Sequence, residues 1–154
     1  MKRLVGALAV SLALAGCDGF GGDRSADSVP VDDPGEAMID LIQHELAGRL
    51  GNSWALLVRE QRAIVDRALY VRCPNGTPID DAQIVVLGVT DEDFTVPALG
   101  RTRTKAVRWR MTVPQPGTEP IVYARTGHLV AQDGKWRWTL SHSSFASYRA
   151  GVCP

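Results

Sequence analysis

From Asp33 onward apolar residues recur at intervals of three and four: Met38, Leu41, Ile42, Leu46 and Leu50 form one stripe, with Asp40, Gln43 and Arg49 outside it. Positions so spaced stack on one face at 3.6 residues per turn, so the pattern predicts an amphipathic helix. Asp33-Pro34-Gly35-Glu36 marks its start, with an N-cap carboxylate, a proline at the first helical position and an acid placed for the reciprocal capping contact. Gly51 is expected to end it. Ser53 can cap a second helical stretch carrying Trp54, Leu57, Val58, Gln61, Ile64 and Val65. That stretch has two possible ends. Strand-forming Tyr70 and Val71 favour a helix to about Asp66 and a short strand into Cys73; the alternative is one helix continuing to Tyr70.

After the turn-rich residues 74–82 the period changes to that of strands. Ile84 to Val89 is apolar on both sides, which predicts a central strand covered on both faces, continued by Phe94 and Val96 as far as Pro97. Ala106 to Val113 alternates, with Val107, Trp109, Met111 and Val113 on one face and Arg108, Arg110 and Thr112 on the other. A Pro-Gln-Pro-Gly loop at 114–117 leads to a strand over 120–131, and Asp133-Gly134 is a strong hairpin turn. The last strand sets Trp136, Trp138, Leu140 and His142 against Lys135, Arg137, Thr139 and Ser141. Ser143 to Pro154 then carries Cys153 back toward the helical half. Helices followed by strands joined through short turns predict an α+β domain, with N-terminal helices packed on an antiparallel meander sheet.

The first residues follow a different pattern. Lys2 and Arg3 precede an uncharged run from Leu4 to Ala15, and small residues follow. This is the make-up of a secretory signal peptide, and the run is too short for a bilayer, which needs about 20 residues. Leu14-Ala15-Gly16-Cys17 is similar to the lipobox of bacterial lipoproteins. That similarity implies a diacylglyceryl group on Cys17, cleavage just before it, and attachment to the extracytoplasmic face of the cell membrane. The expected organisation is a signal peptide over 1–16, the lipidated cysteine and a flexible Gly-, Ser- and Asp-rich tether over 17–32, and one domain over 33–154.

Cleavage would leave 138 of the 154 residues, enough for one domain with a real core. Without Lys2 and Arg3, 15 basic residues stand against 17 acidic ones, a balance with no general attraction to nucleic acid. Cys73 and Cys153 remain as an even pair outside the cytoplasm and are expected to form a disulfide. The chain-entropy estimate for closing a loop of that size is about 4.5 kcal/mol.

A capped helix, a second helical piece ending near a cysteine, and a meander closing on Asp133-Gly134-Lys135-Trp136-Arg137-Trp138 ahead of a C-terminal cysteine form a recognisable order. Over about residues 34–154 it resembles the cystatin-like cone of the nuclear transport factor 2 superfamily, as found in small envelope proteins. The resemblance implies a curved sheet. It implies no single activity, because that superfamily includes enzymes, carriers and structural domains, and none of their catalytic residues can be placed on this chain.

Candidate chemistry is sparse. His142, at the end of the Trp136, Trp138, Leu140 row, could act as a general base at the edge of a pocket, or could be a structural histidine at a strand end. Ser141, Ser143 and Ser144 surround it without the Gly-x-Ser-x-Gly elbow of a hydrolase. His44, His128 and His142 lack metal-ligand spacing, and the acidic runs Asp80-Asp81 and Asp91-Glu92-Asp93 read as solvated loops, so no metal or cofactor is expected. Arg101, Arg103, Lys105, Arg108 and Arg110 are either a patch for an anionic partner or a charged edge that discourages aggregation. Trp109, Trp136 and Trp138 are either a pocket lining or core.

The sequence therefore predicts a membrane-anchored lipoprotein with a non-enzymatic interaction or ligand-binding domain at the cell envelope. Its partner would be an envelope protein, a polymer or a small apolar ligand. A cone-pocket hydrolase or isomerase using His142, and a carrier of an apolar envelope molecule, are the alternatives.

Overall fold

The computed structural model describes residues 32–73, 78–79 and 81–154. Cys17, the signal peptide and the tether up to residue 31 lie outside the described residues. The first helix, α1 (Pro34–Leu46), begins as its cap predicts: Asp33 Oδ1 accepts from the backbone N–H of Gly35 at 2.7 Å and of Glu36 at 3.1 Å. Met38, Leu41 and Ile42 are buried along one face. The helix stops one turn earlier than expected. Gly48, at φ 67°, takes the left-handed position that ends it, and Gly51 lies inside the next helix.

The second helical stretch is broken into α2 (Leu50–Leu56), α3 (Arg59–Arg62) and α4 (Arg67–Arg72). Its first break has a clear cause. Leu57 and Val58 turn extended, Leu57 forms a parallel bridge with Trp138, and the Val58 N–H donates to the Trp138 carbonyl at 3.0 Å. Pairing with a strand replaces the helical hydrogen bonds that the apolar spacing would have supported. Residues 67–72 form a helix where a strand was expected, because Asp66 Oδ1 accepts from the Leu69 N–H at 2.7 Å and caps a new turn. The local cap outweighs the strand preference of Tyr70 and Val71.

The sheet is an antiparallel meander of β1 (Gln83–Val96), β2 (Gly100–Val113), β3 (Ile121–Gln132) and β4 (Lys135–Trp138), in that spatial order. With the N-terminal helices packed on it, it makes the α+β domain that was expected, although the sheet is not strongly curled. β1 is an edge strand rather than a central one. Ile84 and Val86 pack beneath the helices, whereas Val85, Leu87 and Val89 are exposed, because the outer face of this part of the sheet is uncovered. Asp133 and Gly134, both at positive φ, make the β3–β4 turn as predicted.

Three apolar clusters hold these layers. Met38, Leu41 and Ile42 of α1 pack on Val107, Met111, Val113 and Leu129 of the sheet. Gly127 permits that approach, since a Cβ there would stand 2.5 Å from Met38 Cε. Leu50, Leu57, Val65, Leu69 and Tyr70 form a helical cluster with Phe145 and Tyr148 of α5 (His142–Arg149). Val58 meets Val96 and Val130 on the opposite face of the sheet.

The β4 ladder ends at Trp138, four residues before His142. The Leu140 N–H turns away to donate to Gln61 Oε1 at 2.8 Å, and Ser141 then caps α5 by accepting from the Ser144 N–H. Gln61 is fully buried, and its Nε2 donates to the Pro97 carbonyl at 3.2 Å. One side chain thus joins the β1–β2 turn to the start of the C-terminal segment.

Gln61→Ala should cost about 2–4 kcal/mol in urea denaturation, because it leaves a buried carbonyl and a buried N–H unpaired. A loss below about 1 kcal/mol would show that other groups satisfy both. A second expectation concerns acid. Burial pushes the Glu60 carboxyl up, but a hydrogen bond from Gln132 Nε2 at 2.7 Å, a backbone hydrogen bond and the Arg59 charge outweigh it and hold Glu60 below its ordinary value of 4.5. A depressed carboxyl stabilises the fold fully above its unfolded pKa and loses that contribution as pH falls through the folded one. Stability measured from pH 6 to about pH 3 should therefore fall less steeply in Glu60→Gln than in the parent.

Candidate functional site

The helices do not close over the whole sheet. Between α1, α4, the start of α5 and the inward face of β2 and β3 lies a cleft of about 830 Å³. Strand alternation brings Trp109, Met111 and Gly127 to it from the sheet, and the helical stripe brings Met38, Leu41 and Ile42. Glu45, one turn beyond the stripe, reaches the same space, as do Tyr70 of α4 and Tyr148 of α5. Arg72 and Arg125, both exposed, stand where the cleft meets solvent. The volume of the cleft falls within the range of small-molecule pockets, about 300–1,000 Å³.

Its polar groups are arranged around Glu45. The Tyr70 hydroxyl donates to Glu45 Oε1 at 2.9 Å and lies 3.4 Å from Ser53 Oγ. Burial, then the Glu45 charge, pushes the Tyr70 hydroxyl far above its ordinary range, and the same two causes raise Tyr148. Both phenols stay protonated at neutral pH. The single Tyr70 proton is already given to Glu45, so of the two phenols Tyr148 is the one with a proton to offer a guest, and neither can serve as a base.

The expected pocket residues are only partly brought together. Trp109 and Trp138 line the cleft. Trp138 also packs against both the helical and the sheet clusters, and its indole N–H donates to the Ser53 carbonyl at 2.9 Å. Trp136 lines a separate recess of about 390 Å³, with its N–H on the Asp32 carbonyl. His142 lines neither. It opens α5, is exposed, and sets its ring 6.2 Å from Phe94 in an edge contact. Ser141, Ser143 and Ser144 form a capping cluster through their hydroxyls.

The histidine that stands beside a carboxylate is His128. Its Nε2 lies 3.5 Å from Glu92 Oε2 and its ring stacks on Phe94 at 3.8 Å, on the sheet face away from α1. Among the described residues no group of three or more His, Cys, Asp or Glu side chains could hold a metal ion.

The basic run is also divided. It is strand, as is Asp91-Glu92-Asp93, which was expected to be a loop. Antiparallel register lays the two runs against each other, giving Arg101–Asp93 at 3.5 Å, Arg103–Asp91 at 3.7 Å and Lys105–Asp91 at 2.9 Å. The Lys105 hydrogen bond holds the Asp91 carboxyl below its usual range. Arg108 and Arg110 alternate onto the outer face, beside exposed Val85 and Val122. The five cations therefore do not form one patch.

The Cys73–Cys153 disulfide is present and bears on the cleft. It joins the end of α4, which supplies Tyr70, Val71 and Arg72, to the C-terminal tail, which supplies Pro154. Sequence reasoning missed Glu45, Tyr70 and Arg125. Glu45 was legible as the next residue on the α1 stripe, three beyond Ile42, whereas Arg125 was hidden because β3 carries no clear alternation.

Comparison with protein-family models, with curated proteins and with solved structures finds no match to this chain.

Trp138→Ala should cost about 3–5 kcal/mol in chemical denaturation, the usual loss for a large packed aromatic. A cost below about 1 kcal/mol would show that the indole lines the cleft without supporting the fold.

Proposed function

We propose that this chain is a lipid-anchored protein of the extracytoplasmic face whose domain binds a small molecule in the cleft beneath α1 and performs no chemistry on it. The observation that carries the binding reading is the cleft itself, bounded by Met38, Trp109, Met111 and Trp138 and large enough for a guest. Two further observations support the location. Leu14-Ala15-Gly16-Cys17 is similar to a lipobox, and a disulfide such as Cys73–Cys153 persists in oxidising compartments. Among the described residues no helix is long and apolar enough to cross a membrane. Two acyl chains on Cys17 would supply stable attachment.

The placement of His142 outside the cleft gives the enzyme reading less support than the binding one. Within the notion of an interaction or ligand-binding domain, the cleft favours the ligand.

Labelled palmitate should enter the wild-type chain and fail to enter Cys17→Ser. Uptake by the mutant, or none by wild type, would remove the anchor. Native mass spectrometry of the protein released from its own host should show added mass, and that mass should disappear on denaturation. A bare polypeptide mass under gentle conditions would count against a bound molecule.

A further inference from the structure

The chemistry of the guest follows from how charge is distributed around the cleft. Elsewhere in the domain several cations are answered, although others, such as Arg108 and Arg110, stand exposed with no carboxylate within salt-bridge distance among the described residues. Arg59, Arg101, Arg103 and Lys105 each stand within 4 Å of a carboxylate, and Arg67 lies over the Trp54 ring at 6.0 Å. Among the described residues, the charged side chains that line the cleft are Glu45, Arg72 and Arg125. Glu45 already accepts the Tyr70 hydroxyl. Among the described residues neither Arg72 nor Arg125 has a carboxylate within salt-bridge distance.

Position sets these two apart. Arg125 is the cross-strand partner of Trp109 and precedes Gly127 on the same face of β3, so its side chain rises at the solvent end of the apolar floor. Arg72, exposed at the end of α4, lines the same cleft from the helical side. An apolar trough with two guanidinium groups at its mouth suits a guest with an apolar body and an anionic end. The planar fork of a guanidinium matches the paired oxygens of a carboxylate or a phosphate.

Resting on the reading of the cleft as a binding site, we infer that its ligand is an amphipathic anion: a hydrocarbon chain or ring system ending in a carboxylate or phosphate. The apolar part lies against Met38, Trp109, Met111 and Trp138, and the anionic end pairs with Arg125, with Arg72 lining the same cleft. The tyrosine hydroxyls and the Glu45 carboxylate lie deeper, where a second negative charge would be repelled. This sets the direction in which the guest enters.

The test uses the mature chain, residues 17–154, carrying Cys17→Ser so that no acyl group is attached, with the Cys73–Cys153 bridge oxidised. Tryptophan fluorescence follows titration, below micelle formation, with dodecanoate, dodecyl phosphate, dodecyl glucoside and dodecyltrimethylammonium. Both anions should bind at least tenfold more tightly than the uncharged and cationic compounds. Tighter binding of dodecanoate than of dodecyl phosphate would identify a carboxylate guest, and the reverse order a phosphate one. In Arg125→Gln the preference for anions should shrink to within about twofold while dodecyl glucoside affinity stays unchanged; Arg125→Lys should keep part of it. Equal affinity for all four compounds, or a preference for the cation, would overturn the anion inference and leave the cleft standing as an apolar site. Failure of every dodecyl compound to bind would overturn the cleft reading as well.

Discussion

The fold turns on two residues at the edge of β4. Leu57 and Val58 are both fully buried, yet they belong to different clusters: Leu57 points into the helical cluster and Val58 into the one on the far face of the sheet. Only an extended backbone sends adjacent side chains to opposite sides. The Trp138 carbonyl fixes that conformation through the Val58 N–H, and the Trp138 indole meanwhile packs against both the helical and the sheet clusters. Because three cores meet at one short backbone pairing, each helps to hold the others. Gln61, a few residues on, completes the joint by fixing the β1–β2 turn and the entry to α5.

The same joint explains which parts of the sequence were legible. Local signals were readable wherever they acted alone. The Asp33 cap, the Met38–Leu41–Ile42 stripe, the alternation of Val107, Trp109, Met111 and Val113, and the Asp133-Gly134 turn all appear as expected. Reading failed where a distant partner decided the outcome. Leu57 and Val58 fit a helical stripe and are taken from it by β4. Ile84 to Val89 has the composition of a doubly covered strand, but no second layer lies over its outer face, so Val85 and Leu87 are left in solvent. His142 continues the alternation of Trp136, Trp138 and Leu140 in sequence, but Gln61 diverts the Leu140 N–H and the strand is over. The paired cysteines were legible because parity and compartment, rather than geometry, predicted them.

The cleft follows from the way α1 is seated. The tip of Met38 occupies the space that a side chain at Gly127 would need, so the two surfaces meet closely at that point. Its later turns, carrying Glu45 and Leu46, and the neighbouring α4 leave the remaining Trp109–Met111 surface open. Packing the space completely would need bulk on the inner side of α4. The tail is tied in by Cys73–Cys153, and a bridge closing so long a loop restrains the unfolded chain somewhat more than a short one would. An open cleft leaves contacts unmade, and a covalent tie on the wall beside it offsets part of that loss.

Charge is segregated by the same architecture. On the β1–β2 hairpin, register brings acids and bases face to face, and the row becomes nearly self-neutral at the surface. Such exposed pairs add little stability but make a long hairpin a poor template for pairing with other chains. On β3 no acidic strand lies opposite Arg125; its neighbour in the ladder is Trp109. Arg125 is not alone in lacking a carboxylate, since Arg108 and Arg110 lack one too; its place at the exposed end of an apolar floor is what sets it apart from them. On the reading proposed above, an anion meeting it there would be less screened than at a flat, open surface.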